Sequence, residues 1–167
     1  MLVSESGEEL GTEDKLAAHE PPGRLHLAFS VFLFRPDGTT LVQQRAESKY
    51  HFPGIWANTC CSHPEPGEEL VVSAERRVLE ELGVTCRLRE AGRFIYRAVD
   101  PVSGLVEHEL DHVLIGEVRE TVLQPDAAEV ADWRFVTPES VTGAGPPDGF
   151  APWFAEALEI ALAARSR

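Results

Sequence analysis

The chain has 167 residues, 43% hydrophobic and 26% charged, a composition that indicates one globular domain covering residues 1–167. Its formal net charge of −13 argues against nucleic acid or an acidic membrane surface as the main partner. No apolar run approaches the roughly 20 residues of a membrane helix, and the first ten residues resemble no signal peptide, so we predict a cytoplasmic protein.

The first half of the chain is predicted to form short elements followed by a hairpin and a long irregular segment. In chain order these are a strand at 1–5, a helix at 11–20 ended by two prolines, strands at 24–34 and 41–46 around the turn RPDGTT, and an irregular segment at 47–67. An irregular segment of this length within a compact domain usually carries function.

The second half begins with a helix over residues 68–83. Its apolar residues recur every four positions and form one stripe, and Gly83 is placed to cap the C-terminus. The remaining predicted elements are strands at 86–99, 104–118 and 132–137, a helix starting within 138–143, and a terminal helix at 150–166. A mixed sheet with several helices predicts an α/β or α+β fold.

Three cysteines, Cys60, Cys61 and Cys86, are too few and too awkwardly placed for a disulfide framework. Their number is odd, and residues adjacent in sequence rarely form a bridge. No pair has the spacing of a zinc knuckle. We therefore predict free thiols, as expected in a reducing compartment.

The predicted strand at 104–118 carries acidic residues at alternating positions. Glu107, Glu109 and Asp111 share one face of an extended strand. Carboxylates this close repel each other unless a cation or a shared proton relieves them. The pattern is consistent with a metal site, and also with a solvated face of an acidic protein.

Three histidines, His19, His26 and His63, add nitrogen donors to this pattern. Together with two carboxylates they make a mixed donor set suited to Zn²⁺, Mn²⁺ or a similar divalent ion. Each histidine alone is more commonly a surface or packed residue. Their scattered spacing leaves open whether they converge.

A second acidic set lies on the predicted helix at 68–83. Arg76 and Arg77 precede Glu80 and Glu81 by four residues, which predicts ion pairs along the helix. Acids beside arginines, next to an irregular segment, are also typical of a site for Mg²⁺ and a polyphosphate. Both interpretations are open on spacing alone.

Residues 62–84 resemble the Nudix box, G-x5-E-x7-R-E-U-x-E-E-x-G-U. Seven positions fit: Glu68, Arg76, Val78, Glu80, Glu81, Gly83 and Val84. Ser62 stands at the leading glycine. Arg77 stands where Nudix hydrolases have a glutamate that helps to hold the catalytic magnesium, and a cation there argues against hydrolysis. A Nudix hydrolase of a nucleoside or isoprenoid diphosphate is the alternative function.

The chain as a whole resembles the type 1 isopentenyl-diphosphate Δ-isomerases of the Nudix superfamily. The resemblance rests on KLAAH, RLHLAFSVFLF, QQRAESK, FPGIWANTCCSHP, YRAVDPVSGLVEHELDH and APW, between Lys15 and Trp153. NTCCSHP together with EHE is the most specific part. The resemblance implies a Nudix-like mixed β-sheet sandwiched between helices, with an N-terminal metal-binding extension.

The resemblance also implies roles for individual residues. One divalent ion, Mn²⁺, Zn²⁺ or Mg²⁺, would be held by His19, His26, His63, Glu107 and Glu109. Glu81 would help to hold a Mg²⁺ that touches the substrate diphosphate. The diphosphate itself would be bound by Lys15, Arg45, Lys49 and Arg77. The catalytic groups would be Cys61, Glu109, Tyr96, which supports proton transfer, and Trp153, which faces the developing cation.

The implied reaction interconverts isopentenyl and dimethylallyl diphosphate through a tertiary carbocation, in isoprenoid biosynthesis. The expected partner is this small-molecule diphosphate, with no nucleic acid and no membrane, and the expected state is a monomer. A third possibility is a metal- or ligand-binding module that keeps the fold without catalysis.

Overall fold

The computed structural model describes residues 1–119, 123–142 and 149–166. Nine strands within these ranges form one sheet: β1 Leu2–Val3, β2 Glu9–Gly11, β3 His26–Phe34, β4 Thr40–Arg45, β5 Trp56–Ala57, β6 Cys60–Ser62, β7 Leu88–Val99, β8 Val106–Glu117 and β9 Val130–Val136. The helices are α1 Lys15–His19, α2 Leu70–Leu82, α3 Phe154–Arg165 and a 3₁₀ helix Pro138–Ser140. None of these described helices is long and apolar enough to cross a membrane.

The strand β3 organises the sheet because four other strands pair with it. It runs antiparallel to β1, β4 and β6 and parallel to β8, with His26 opposite Glu109 at one end and Phe34 opposite Glu117 at the other. A parallel pair needs a long crossover, which here includes α2 and β7. The sheet is therefore mixed, as predicted.

Helices cover both faces of this sheet. Alternate β3 residues, including Phe29 and Val31, pack with the α2 stripe, whose Ala74, Val78 and Leu82 are fully buried. On the other face Phe32 and Phe34 pack against α3 through Phe154 and Leu158. The α2 stripe and its Gly83 cap, with a φ of 69°, confirm the sequence prediction. The predicted mixed sheet between helices is confirmed as well.

Three predicted elements differ from the structure in more than the position of their ends. The helix predicted at 11–20 is only Lys15–His19, because Glu9–Gly11 pairs with β1 and the Asp14 side chain accepts from the amides of Leu16 and Ala17 to start α1. The segment predicted to be irregular, 47–67, contains β5 and β6, which are too short to show an alternating pattern. The helix predicted from 138 is a single 3₁₀ turn, and residue 143 of that prediction lies outside the described residues.

The N-terminal extension reaches the sheet through a close approach at Gly23. Its φ is 79°, and a Cβ at this position would lie 2.5 Å from Val106 Cγ1. Only glycine adopts this conformation and leaves this space without strain. The chain between α1 and β3 can therefore pass directly over β8, which places His19 above Glu107.

Candidate active site

Five side chains from four parts of the chain converge at one end of the β3–β8 pair. Their ligand atoms all lie within 4.8 Å of one another: His19, His26, His63, Glu107 and Glu109. The first ends α1, the second begins β3, the third follows β6, and both acids lie on β8. These are the residues that the resemblance assigned to a metal, and the fold brings all five together.

Two of the three histidine rings in this cluster are oriented by backbone carbonyl groups. Nδ1 of His19 lies 2.6 Å from the Lys15 oxygen, and Nδ1 of His26 lies 2.8 Å from the Arg24 oxygen. A carbonyl oxygen only accepts, so Nδ1 of each ring carries a hydrogen and Nε2 of each ring is turned towards the carboxylates of the cluster. Nε2 of His26 lies 3.1 Å from Nε2 of His63. Facing nitrogen donors beside carboxylates fit a shared divalent cation.

The two carboxylates are buried, which excludes the interpretation of β8 as a solvated strand face. Glu107 is 3% exposed and Glu109 is 7% exposed. Burial raises the pKa of Glu107, but the hydrogen bonds from His19 and His51 lower it by more. The pKa of Glu107 is therefore well below its usual value. Burial and the charge of Glu107 raise the pKa of Glu109, and the hydrogen bonds of His26 and His63 bring it below its usual value.

A cavity of about 240 Å³ opens beside this cluster. Cys61, Glu109, Tyr96 and Trp153 line it together with all four cations that the resemblance assigned to the diphosphate: Lys15, Arg45, Lys49 and Arg77. A thiol and a carboxylate of the ligand cluster, from distant parts of the chain, therefore face the same space.

Adjacent cysteines on β6 point to opposite faces of the sheet. Cys60 is fully buried in the core beneath α2. The Cys61 thiol donates to Asn58 Oδ1 at 2.8 Å, and Trp153 Nε1 donates to the same oxygen at 3.1 Å. Burial, followed by the charge of Asp111, raises the pKa of Cys61 to about 12. Cys61 is thus a protonated thiol in a fixed position.

Glu109 joins the histidine cluster to the aromatic wall of the cavity. Its Oε1 lies 2.8 Å from His63 Nε2, and its Oε2 accepts from the Tyr96 hydroxyl at 2.6 Å. The Tyr96 and Trp153 ring centroids are 5.5 Å apart. Burial and the charge of Glu109 raise the pKa of Tyr96 well above its usual value, so the phenol keeps its proton.

The other end of the cavity carries the cations. Lys49 and Arg77 both pair with Glu129, and Arg77 Nη2 lies 3.1 Å from it. The Arg45 guanidinium donates to the carbonyl groups of residues 51 and 52, each at 3.0 Å. Desolvation, then the neighbouring cations led by Lys49, lowers the pKa of Lys15. Clustered positive charge in a protein of net charge −13 is suited to an anion.

The acidic set on α2 forms the ion pairs expected along a helix. Arg76 Nη1 lies 3.0 Å from Glu80 Oε1, and Arg77 Nη2 lies 2.7 Å from Glu81 Oε1. Glu81 is buried, accepts a second hydrogen bond from Gln43 Nε2 at 3.1 Å, and does not belong to the group of five ligands. The structure thus separates Glu81 from the other predicted metal ligands.

Three residues were not predicted from the sequence: His51 and Glu129, which line the cavity, and Asn58, which accepts from Cys61 and Trp153. Asn58 lies within the NTCCSHP motif, and its position three residues before Cys61 was a usable signal. His51 follows Lys49 by two residues in SKYH, and Glu129 belongs to no recognisable motif. The carboxylate partner of His51 and the cationic partners of Glu129 lie far away in sequence, so no local pattern reveals these two residues.

Comparisons with known proteins agree with this geometry. The NUDIX domain family matches residues 24–158. Isopentenyl-diphosphate Delta-isomerase of Streptomyces coelicolor is 52% identical over 161 residues, 96% of this chain and 81% of that protein. The Nocardia farcinica protein of the same name is 52% identical over 165 residues, covering 98% and 94% of the two chains.

Solved structures agree on the fold. A MutT protein from Methanosarcina mazei superposes with a TM-score of 0.70 at 18% identity, covering 86% of this chain and 96% of the other. The NUDIX domain of Shewanella oneidensis NrtR superposes with a TM-score of 0.66 at 18% identity, covering 94% and 100%. The chain therefore belongs to the Nudix family and, within it, to the isopentenyl-diphosphate Δ-isomerases.

Proposed function

We propose that this protein interconverts isopentenyl diphosphate and dimethylallyl diphosphate by moving a proton on and a proton off the five-carbon chain. The observation that supports this most directly is that Cys61 and Glu109 line one cavity, with an anion-binding end beside them. The names of the relatives support the same reaction. No bond to phosphorus forms or breaks in it.

The proton balance needs one donor and one acceptor on opposite sides of the double bond. A proton added to C4 of the alkene leaves a tertiary carbocation at C3, and loss of a proton from C2 completes the shift. Cys61 and Glu109 are proposed as this pair. In the resting protein the Cys61 thiol carries a proton and Glu109 accepts from Tyr96. Since the reaction is reversible, each group gives a proton in one direction and takes one in the other.

We propose that the five converging ligands, His19, His26, His63, Glu107 and Glu109, hold Mn²⁺, Zn²⁺ or Mg²⁺. When bound, such an ion would neutralise the paired carboxylates and make the protonated form of Glu109 more acidic. Tyr96 keeps the Oε2 oxygen of Glu109 turned towards the cavity, because its hydroxyl donates to Oε2 while Oε1 faces His63.

The carbocation needs a neighbour that stabilises it without reacting. Trp153 is proposed for this role, because an indole face attracts a cation by about 0.5–2 kcal/mol. The hydrogen bond from its Nε1 to Asn58 and the edge contact with Phe52, at a centroid distance of 5.5 Å, hold the ring in place. An aromatic wall also excludes water, which would otherwise capture the cation.

The diphosphate is proposed to bind at the cationic end, to Lys15, Arg45, Lys49 and Arg77, with Mg²⁺ held in part by Glu81. In the unliganded structure Lys49 and Arg77 share Glu129 as their counter-ion. An arriving diphosphate would compete with Glu129 for both cations. Fixing the diphosphate positions the alkene between sulfur and carboxylate.

Proton NMR of isopentenyl diphosphate with the protein and Mg²⁺ in deuterium oxide tests the proposed function. We expect the vinyl signals to be replaced by those of dimethylallyl diphosphate, with deuterium incorporated into the carbon chain. A release of phosphate faster than alkene migration would instead identify a hydrolase. Arg77 argues against that outcome, since it places a cation where Nudix hydrolases hold a metal ligand.

The proposal also includes the domain organisation, the oligomeric state and the location of the protein in the cell. We propose that residues 1–167 act as one domain, that the enzyme is a monomer, and that it works in the cytosol. None of the three cysteines forms a disulfide, which suits a reducing compartment. Light scattering of the purified protein checks the monomer.

A further inference from the structure

We propose that His51 is a positioning residue of the metal centre, which holds Glu107 in place and fastens it to Arg45. This rests on the proposed metal centre and goes beyond it, because His51 is not one of the five converging ligands. His51 lies on the segment between β4 and β5, and its side chain lines the cavity.

The two oxygens of Glu107 have different partners. His19 Nε2 lies 3.0 Å from Oε2, and His51 Nε2 lies 2.6 Å from Oε1. A carboxylate held through one oxygen alone can rotate about its last bond, and a second partner on the other oxygen stops this rotation. Oε2 then stays turned towards His19 and the other members of the ligand cluster.

The contacts of the His51 ring define its tautomer. His51 Nε2 lies 2.6 Å from Glu107 Oε1, a hydrogen-bond distance at which the ring N–H donates and the carboxylate oxygen accepts. Nδ1 is buried, and no hydrogen-bond partner for it is found in the described part of the chain. His51 therefore serves as a donor and uses no lone pair of Nε2 for a metal.

The backbone around His51 is fastened at several points, so the ring has a rigid base. Arg45 donates to the His51 carbonyl oxygen and, through Nε, to that of Phe52. The amide of Phe52 donates to Asp100 Oδ2 at 3.1 Å. Phe52 has a φ of 45°, a left-handed conformation that a large side chain adopts only when its surroundings impose it.

This arrangement connects the two ends of the cavity. Arg45 belongs to the cationic end, and its Nη2 donates to the His51 carbonyl oxygen at 3.0 Å. Glu107 belongs to the ligand cluster. His51, which is 5% exposed, therefore contacts both Arg45, a proposed diphosphate-binding group, and Glu107, a proposed metal ligand.

Mn²⁺ binding to the full chain without substrate, followed by electron paramagnetic resonance and calorimetry, tests the inference. Partners that orient metal ligands typically contribute about 10- to 100-fold in affinity. We expect His51→Ala to weaken Mn²⁺ binding by that factor and His51→Gln, whose amide can donate from the same place, to restore most of it. His26→Ala removes a proposed ligand. The part of the Mn²⁺ binding signal that this variant loses therefore comes from the metal centre.

His112→Ala is the matched control. His112 also contacts a carboxylate at 2.8 Å, that of Glu90, but on the other face of β8. We expect it to leave Mn²⁺ affinity unchanged, and we expect circular dichroism to show that all variants fold.

The outcomes separate the two proposals. If the wild type binds no Mn²⁺, the metal centre itself fails and the inference with it. If the wild type binds Mn²⁺ and a folded His51→Ala variant binds it equally well, the centre stands and the inference fails. If the resonance of His51→Ala shows one nitrogen ligand fewer than the wild type, His51 is a ligand and the positioning role is wrong.

Discussion

The two ends of the cavity are built by different means. At the ligand end, buried histidine and glutamate side chains project from strands and from the end of α1. Backbone carbonyl groups fix the orientation of the His19 and His26 rings. At the cationic end, long side chains such as Lys49 and Arg77 reach in from the rim and pair with carboxylates. The first end is organised before anything binds, whereas the second must exchange partners to bind an anion.

The difference indicates a division of labour. Groups that transfer protons need fixed distances, and burial between packed elements supplies them. Groups that bind a diphosphate from solution need positive charge and long, flexible side chains, and they do not need fixed distances before binding. Changes at the ligand end should therefore act mainly on turnover and stability, and changes at the cationic end mainly on substrate affinity.

The largest expected effect is on turnover, from Cys61→Ala. General acid–base groups contribute about 10²–10⁴-fold, so we expect kcat to fall by about 10³-fold while Mn²⁺ affinity stays unchanged, since the thiol is not a ligand. Steady-state kinetics and the Mn²⁺ titration measure the two quantities. Cys60→Ala, the neighbour that faces the α2 core, is the control and should keep wild-type kcat. Equal turnover in the wild type and Cys61→Ala would rule out the thiol.

Removal of the metal should affect stability and order at the ligand end. Ligand at 100 times its Kd stabilises a fold by about 2.7 kcal/mol, and chelation should remove that amount together with the activity. Because His19 and His26 hold the N-terminal segment to the cluster, we also expect proteases to cut residues 12–26 faster in the apo protein. Mass spectrometry of the digest identifies the cuts, and Mn²⁺ should reverse them. Unchanged protection of this segment would contradict its role.

A smaller effect is expected from Asp111→Asn, on the pH dependence of stability. Burial and the charge of Glu109 raise the pKa of Asp111 well above its usual value. The folded state then holds a proton that the unfolded state loses near pH 4, so the free energy of unfolding falls as pH rises from there to the folded-state pKa. Asparagine keeps an acceptor for Ser30, which donates at 2.7 Å, and removes the titration.

Urea denaturation of the apo protein across pH 5–8 measures this effect. We expect Asp111→Asn to be more stable than the wild type at the high end of the range and to show a flatter slope. Asp132→Asn, an exposed carboxyl on β9, should keep the wild-type slope. A wild-type slope in Asp111→Asn would mean that Asp111 is ionised in the fold.

The smallest effect is expected at the cationic end, from Glu129→Gln. The variant removes the counter-ion shared by Lys49 and Arg77, and partly exposed ion pairs contribute about 0.2–1 kcal/mol. We expect KM to fall by no more than about fivefold, with kcat unchanged. Titration with inorganic diphosphate gives the affinity directly. Glu117→Gln, an exposed acid paired with Arg119, is the control. A rise in KM would instead mean that Glu129 helps to bind the substrate, for instance through Mg²⁺.

Much of the fold could be predicted because its patterns are local. The α2 stripe and the alternation of Glu107 and Glu109 follow from side-chain periodicity, and Gly83 follows from the geometry of helix ends. The short β6 was missed, since its three residues are defined by pairing with β3 rather than by any pattern of their own. The start of α1 was misplaced because the pairing of β2 with β1 overrides helix propensity there.

The site could be predicted only in part from the residues themselves. Spacing suggested that the acids of β8 meet a cation, but the convergence of His19, His26 and His63 depends on the parallel pairing of β3 with β8 and on the close approach at Gly23. The resemblance supplied the set, and the fold brings it together. His51 escaped notice because its partner Glu107 lies on a distant strand, and contacts of that kind leave no trace in local sequence.

The pairing of β3 has a consequence for how this enzyme can change in evolution. His26 lies opposite Glu109 and Ser30 lies opposite Cys61, so one strand sets the separation of carboxylate and sulfur. A deletion or insertion of one residue between these two positions would turn every following side chain to the opposite face of the sheet. Lineages of this enzyme can therefore vary the identity of Leu27 or Phe29 but must keep the length of this interval, and indels should accumulate only in the connections outside it.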